Sequence, residues 1–153
     1  MIEVSVVERE PRHAAVVHME GTMADLPGFF DRAFATVMDA VQSAGLEVTG
    51  APFGHYPRPP GETVEVNAGI PVAEAFTATG EVRALELPGG PAAVTMHVGP
   101  YDTLAQTYQE LMGWLTTEGR TPAGPMWEHY LSDPTVEPDP SKWRTEIVCP
   151  LTS

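Results

Sequence analysis

The stretch GPMWEHYLSDP, residues 124–134, sets one carboxylate, Glu128, beside Trp127 and two residues from Tyr130. The run reads as a short strand. Strands disfavour Glu, and an aromatic neighbourhood solvates a carboxylate poorly. Two chemistries could explain the charge. It could balance a cationic ligand while neighbouring rings supply stacking and cation–π attraction. Alternatively, burial could raise its pKa until it activates water or protonates a leaving group. Side chains alternate along a strand, so Met126, Glu128 and Tyr130 share one face, and Trp127, His129 and Leu131 share the other. The ordinary alternative is a solvated edge, or an ion pair with Arg83, Arg120 or Arg144.

Other chemistry finds little support. The five histidines (His13, His18, His55, His97, His129) show neither H-x₃-H nor H-E-x-x-H spacing, so no metal is expected. Cys149, the single cysteine, lies before Pro150 with no basic helix end nearby and reads as a small buried apolar residue. There is no G-x-S-x-G elbow and no Walker or Rossmann glycine loop, so no cofactor is expected. Eight basic against 21 acidic residues give a net charge of −13, a field that opposes direct nucleic-acid binding and favours cationic small molecules or basic protein partners. No apolar run approaches the ~20 residues of a membrane span. The beginning MIEVSVVEREP has no signal-peptide pattern, and one cysteine makes no internal disulfide, so a cytoplasmic location is expected.

The elements that must position Glu128 occur twice. AAVVHMEGTMADL from Ala14 and AAVTMHVGPYDTL from Ala92 align at a shift of 92 − 14 = 78, matching Ala14, Ala15, Val16, Gly21 and Leu26 to Ala92, Ala93, Val94, Gly99 and Leu104. Each reads as strand, glycine turn, helix. The first helix is expected from Asp25 as its cap, with Pro27 in the first turn, a stripe of Phe30, Phe34, Val37 and Val41, and Gly45 as its stop. The second is expected from Asp102, with Leu104, Tyr108, Leu111 and Leu115, and Gly119 as its stop. PFGHYP (52–57) matches MWEHYL (126–131), and EVNAGIPV (65–72) matches RTEIVCPL (144–151). Opening strands fall at 2–8 and 82–88, and PRPPGE (57–62) and SDPTVEPDPSK (132–142) read as loops. At 153 residues, 42% of them hydrophobic, the chain suits one domain, residues 1–153, with internal repeats at about 1–75 and 80–153. The expected class is α+β: two antiparallel sheets, two helices and a pseudo-twofold axis bearing a ligand groove.

Several aromatics are candidates for that groove. Glu128 and Tyr130 form one wall, and Phe53, His55 and Tyr56 supply the symmetry-related one. His55 and Tyr56 point to opposite faces, so only one of them lines it well. Tyr101, at the GPYD turn, either walls the groove or anchors the turn. Trp143 follows a loop and could cap the groove, whereas Trp114 and Trp127 suit core packing better.

HVGPYDTLAQTYQELMGWL, then PAGPMWEHYLSDP, then TEIVCPL resembles the GyrI-like effector-binding family, which includes gyrase-inhibitory proteins and the drug-binding portions of MerR-type and AraC-type multidrug regulators. The likeness spans nearly the whole chain and is strongest from His97 to Leu151. In the first half, Thr22-Met23 replaces the Pro-Tyr of the second turn. The resemblance implies a groove in which the Glu of the E-x-Y strand, here Glu128, meets lipophilic cations. It also implies two alternatives. Some free-standing relatives are hydrolases that open the strained cyclopropane of DNA alkylators, in which case Glu128 is catalytic; others act through a protein partner, as gyrase inhibitors do. Both helices are spent on the duplicated core, leaving no room for a helix-turn-helix. The expected partner is therefore a hydrophobic, cationic small molecule.

Overall fold

Alternating apolar residues in VSVVER, RHAAVVHMEG, VEVNAGIPV and GPAAVTMHV commit these runs to strands, because period-2 patterning buries one face of an extended chain. The computed structural model describes residues 3–57, 62–100, 103–132 and 136–152. Its elements in chain order are β1 (Val4–Arg9), β2 (Arg12–Gly21), α1 (Leu26–Ser43), β3 (Phe53–Tyr56), β4 (Val64–Val72), β5 (Val82–Leu87), β6 (Gly90–Val98), α2 (Leu104–Glu118), β7 (Met126–Tyr130) and β8 (Arg144–Pro150). The strand pairings are antiparallel, and with two helices the class is α+β.

The chain forms two compact units, Met1–Arg9 with Gly90–Ser153, and Glu10–Gly89. In the first unit the strands run β1-β6-β8-β7; in the second, β3-β4-β2-β5. The opening strand of each sequence repeat is therefore exchanged: β1 pairs with β6, and β5 pairs with β2.

In the second unit α1 covers the β-face bearing Ala15, Val17, Val66, Ala68 and Ile70. The buried line on α1 runs through Leu26, Phe29, Ala33, Val37 and Val41: Val37 and Val41 are buried as expected, while Phe29 and Ala33 take the places expected for Phe30 and Phe34. Phe30 and Phe34 sit at its rim, stacked with ring centroids 5.5 Å apart. Asp25 precedes the helix but does not cap it. A 3-10 turn over Met23–Asp25 already gives Asp25 helical dihedrals, so its carboxylate reaches back to accept from the Thr22 backbone N at 2.9 Å and Thr22 Oγ1 at 3.0 Å. Those two bonds hold the exposed Asp25 carboxyl below its ordinary value. Gly69 is required by close packing: a Cβ there would lie 2.1 Å from the Ala15 carbonyl oxygen.

In the first unit α2 packs Leu111 and Leu115 against Ala93, Ile147 and Cys149. Thr103 stands at its N-terminus; the expected cap Asp102 lies outside the described residues. Gly119 ends α2 at φ +65°, a left-handed conformation that costs glycine least. Cys149 is buried, which pushes its thiol up to about 11 and leaves it protonated at neutral pH. No described helix is long and apolar enough to cross a membrane.

Candidate functional site

The short strand β7 carries Glu128 at its centre. Pairing with β8 sets Glu128 opposite Ile147 and Tyr130 opposite Thr145. Ile147 belongs to the cluster under α2, so Met126, Glu128 and Tyr130 share the helix-covered face, with Thr145 beside them. The carboxylate is 5% exposed. Tyr108, on the facing side of α2, donates its hydroxyl to Glu128 Oε1 at 2.7 Å. The Tyr130 hydroxyl also hydrogen-bonds the carboxylate.

Burial dominates the electrostatics of this acid. It pushes the Glu128 carboxyl above its ordinary value, and the bonds from Tyr108 and Tyr130 pull part of the way back. No cationic side chain among the described residues pairs with it, so neither the solvated edge nor the arginine pair is what the structure shows. Thr145 Oγ1 is also buried, with no hydrogen-bond partner among the described residues. The unpaired hydroxyl is costly: leaving such a group unsatisfied costs about 1–3 kcal/mol.

The other candidates fall in different places. Trp127 and His129 occupy the opposite face of β7, where Trp127 Nε1 donates to His129 Nε2 at 3.1 Å and both side chains are buried. In the second unit, β3 pairs with β4 so that Phe53 faces Gly69 and His55 faces Asn67. Phe53 and His55 are buried on the face away from α1, while Tyr56 packs against the α1 cluster. Asn67 Nδ2 lies 3.3 Å from His55 Nδ1, and burial lowers the His55 pKa. Trp143 donates from Nε1 to the Glu137 carbonyl at 2.7 Å and accepts from Gly99 N at 2.8 Å, which ties the β7–β8 loop to the end of β6. Tyr101 lies outside the described residues. Trp114 packs against the α2 cluster.

His97 takes a positioning role that its isolation in the sequence did not suggest. Its Nε2 donates to the Pro100 carbonyl at 3.0 Å and its Nδ1 accepts from Thr107 Oγ1 at 2.6 Å, pinning the end of β6 to the first turns of α2. Tyr108 and Thr145 are the residues around Glu128 that sequence reasoning passed over. Helical spacing places Tyr108 in the α2 stripe with Leu104, Leu111 and Leu115 and does not report what its hydroxyl meets. The signal available was its hydroxyl, at an otherwise leucine position of that stripe.

The α+β architecture has counterparts among known proteins. Residues 2–152 match the GyrI-like small molecule binding domain, and the chain belongs to that family. The crystal structure of the EcmrR C-terminal domain superposes with a TM-score of 0.87 at 21% identity, covering 100% of this chain and 99% of that one. Against EcmrR in its complex with DNA the TM-score is 0.85 at 21% identity, covering 99% of this chain; the chain spans 58% of that longer one. A hydrolase encoded by lin2189 from Listeria innocua superposes at 0.71 with 16% identity, covering 98% of this chain and 92% of that one. SAV2435 bound to tetraphenylphosphonium superposes at 0.64 with 13% identity, covering 99% and 94%. No curated protein matches the sequence.

Proposed function

We propose that the protein binds lipophilic cations, with Glu128 as the counter-charge and Tyr108 and Tyr130 as the rings that receive the ligand. The observation that carries this reading is a carboxylate 5% exposed, held by phenol hydroxyls and without a cationic partner among the described residues. Both tyrosines are half-buried and reach solvent where the acid does not. A cation beside them supplies the charge the carboxylate lacks, and the phenol faces add cation–π attraction of about 0.5–2 kcal/mol each. Thr145 Oγ1 offers a polar contact on the same face. The similarity in fold to SAV2435, which binds tetraphenylphosphonium, supports the ligand class. The net charge of −13 supports the sign. Such a domain sequesters its ligand or reports it to a partner protein.

A second reading draws on the raised proton affinity of Glu128. A carboxyl whose proton affinity is raised by burial can serve as an acid–base group, so the same residue could hydrolyse reactive electrophiles such as cyclopropane-bearing alkylators. The fold shared with the Listeria innocua hydrolase supports it.

One experiment separates the two. Titration calorimetry is run with tetraphenylphosphonium and with neutral triphenylphosphine oxide, on the natural protein and on Glu128→Gln, alongside a turnover assay with a cyclopropane-bearing alkylator. A charge-assisted contact of about 1.5–3 kcal/mol predicts that the variant loses about tenfold to a hundredfold in affinity for the cation and much less for the neutral compound. The hydrolase reading predicts turnover in the natural protein that falls by about a hundredfold or more in the variant. Equal losses for both ligands, with no turnover in either protein, would remove Glu128 from both.

A further inference from the structure

The second unit carries a polar block on the β-face away from α1. In the β2–β4 register His18 stands opposite Asn67 and Glu20 opposite Glu65. All four side chains lie on one face, because positions two apart on a strand point the same way. Two glutamates directly across a ladder repel, and such pairs are destabilising unless something positive sits between them. The His18 ring reaches the edge of that place: its Nε2 is 3.3 Å from Glu65 Oε2 and 3.8 Å from Glu20 Oε1. Among the described residues His18, Glu20 and Glu65 form a group whose ligand atoms all lie within 4.8 Å of one another.

We propose that His18 Nε2, Glu20 and Glu65 form a divalent metal site, suited to a borderline first-row ion such as zinc. Three observations converge on it. Metal–ligand bonds of about 2.0–2.1 Å place neighbouring tetrahedral ligand atoms about 3.3 Å apart, and the observed spacings need only small side-chain adjustments to meet that. The ring is oriented for ligation, since His18 Nδ1 donates to Asn67 Oδ1 at 3.0 Å; this leaves the Nε2 lone pair aimed at the carboxylates. A ligating histidine characteristically donates its other N–H to such an oxygen. The site is also reachable: the Glu20 side chain is 64% exposed, leaving room for water to complete the coordination. One imidazole with two carboxylates suits zinc, cobalt or manganese better than the all-oxygen preference of calcium or magnesium.

The linear sequence hides this arrangement. Metal patterns are read along one segment, whereas here two ligands come from β2 at i and i+2 and the third from the neighbouring strand. The block also continues across the ladder. With its oxygen turned to His18, Asn67 presents its amide N–H to His55 Nδ1 at 3.3 Å. A metal on His18 would therefore fix the amide orientation that positions the buried His55.

The test is zinc titration by calorimetry on chelator-treated full chain, with cobalt absorption as an independent readout of nitrogen and oxygen ligation. The expected result is one saturable zinc per chain, weakened about a hundredfold in His18→Ala and in Glu65→Gln. Asn67→Ala, which touches no metal, should cost about tenfold to a hundredfold by releasing the ring. Magnesium should compete poorly. No saturable zinc binding up to about 1 mM, corresponding to about 4 kcal/mol, would overturn the proposal. So would affinity unchanged in His18→Ala and Glu65→Gln. Should those variants lose their circular dichroism signal, Glu20→Gln decides: its side chain is mostly in solvent, so it folds, and an unaltered zinc affinity and cobalt spectrum in it would refute the site.

Discussion

Replacing Tyr108 by Phe removes one hydroxyl and leaves the ring that packs on the α2 cluster. That hydroxyl donates to Glu128 Oε1 at 2.7 Å, and it favours the ionised carboxylate. A hydrogen bond to a charged acceptor contributes about 1.5–3 kcal/mol, one to a neutral acceptor about 0.5–1.5 kcal/mol. The loss on substitution should thus be larger by about 1–2 kcal/mol when Glu128 is ionised. The sign of the pH dependence follows. Burial holds the folded-state value of Glu128 above its unfolded value, so the native protein binds more protons between the two values. The contribution of Glu128 to stability is best below the unfolded value and is lost as pH rises through the folded one. Tyr108→Phe raises the folded value further and widens that window. The assay is urea unfolding of natural protein and variant in steps from about pH 4 to about pH 8. All other titrations cancel in the difference, which should grow with pH by about 1–2 kcal/mol, or roughly 2–8 °C in Tm for a chain of this size. In a Glu128→Gln background the difference should be flat. A pH-independent loss, or a pH dependence that survives in Glu128→Gln, would refute the assignment of the hydroxyl to the acid.

Two further substitutions test the frame. Gly69→Ala places a Cβ 2.1 Å from the Ala15 carbonyl oxygen, a backbone atom that cannot swing aside, so denaturation should show a loss at or above the upper end of the usual 1–3 kcal/mol (about) for overpacking. His55 is held below its ordinary value by burial, so its contribution to stability is full above the unfolded histidine value and is lost as pH falls through it toward the lower folded one. His55→Gln should flatten unfolding curves taken between about pH 7 and pH 5, and an unchanged slope there would count against burial as the cause.

What could be read from the sequence was local and periodic. The two helices, their glycine stops and the four strands of each repeat follow from spacing alone, and the structure places them within a residue or two of expectation. The alternation within MWEHY correctly put Met126, Glu128 and Tyr130 on one face. It could not say which face α2 would cover, because both faces of β7 are buried and both carry polar and aromatic groups. The exchange of β1 and β5 was hidden for a similar reason: strand pairing is a long-range choice, and β1 sits equally well by pattern next to β2 or β6. The Asp25 cap failed because a 3-10 turn used its carboxylate first. Tyr108 went unnoticed as a partner of Glu128 because helical spacing reports where a side chain points and nothing about what its terminal hydroxyl will meet.

Among the described residues the buried acid falls in the first unit, and the sequence alignment of the two halves shows which residues differ around it. At the shift of 78, Phe30 of α1 answers Tyr108 of α2, and the aligned FGHY and WEHY strands match Gly54 to Glu128 and Tyr56 to Tyr130. Phe30 and Tyr56 pack against the α1 cluster, and Gly54 carries no charge. The same frame, with one hydroxyl and one carboxylate added, becomes the Tyr108–Glu128–Tyr130 site. The second unit places its polar residues on the other face, where His55, Asn67 and His18 stand in register across β3, β4 and β2. A buried carboxylate needs hydroxyls to hold it, and a phenylalanine in place of Tyr108 would leave it with one donor fewer. The expected coupling is physical: Glu128 without Tyr108 keeps only the Tyr130 donor, while Tyr108 without Glu128 is a phenol seeking another acceptor.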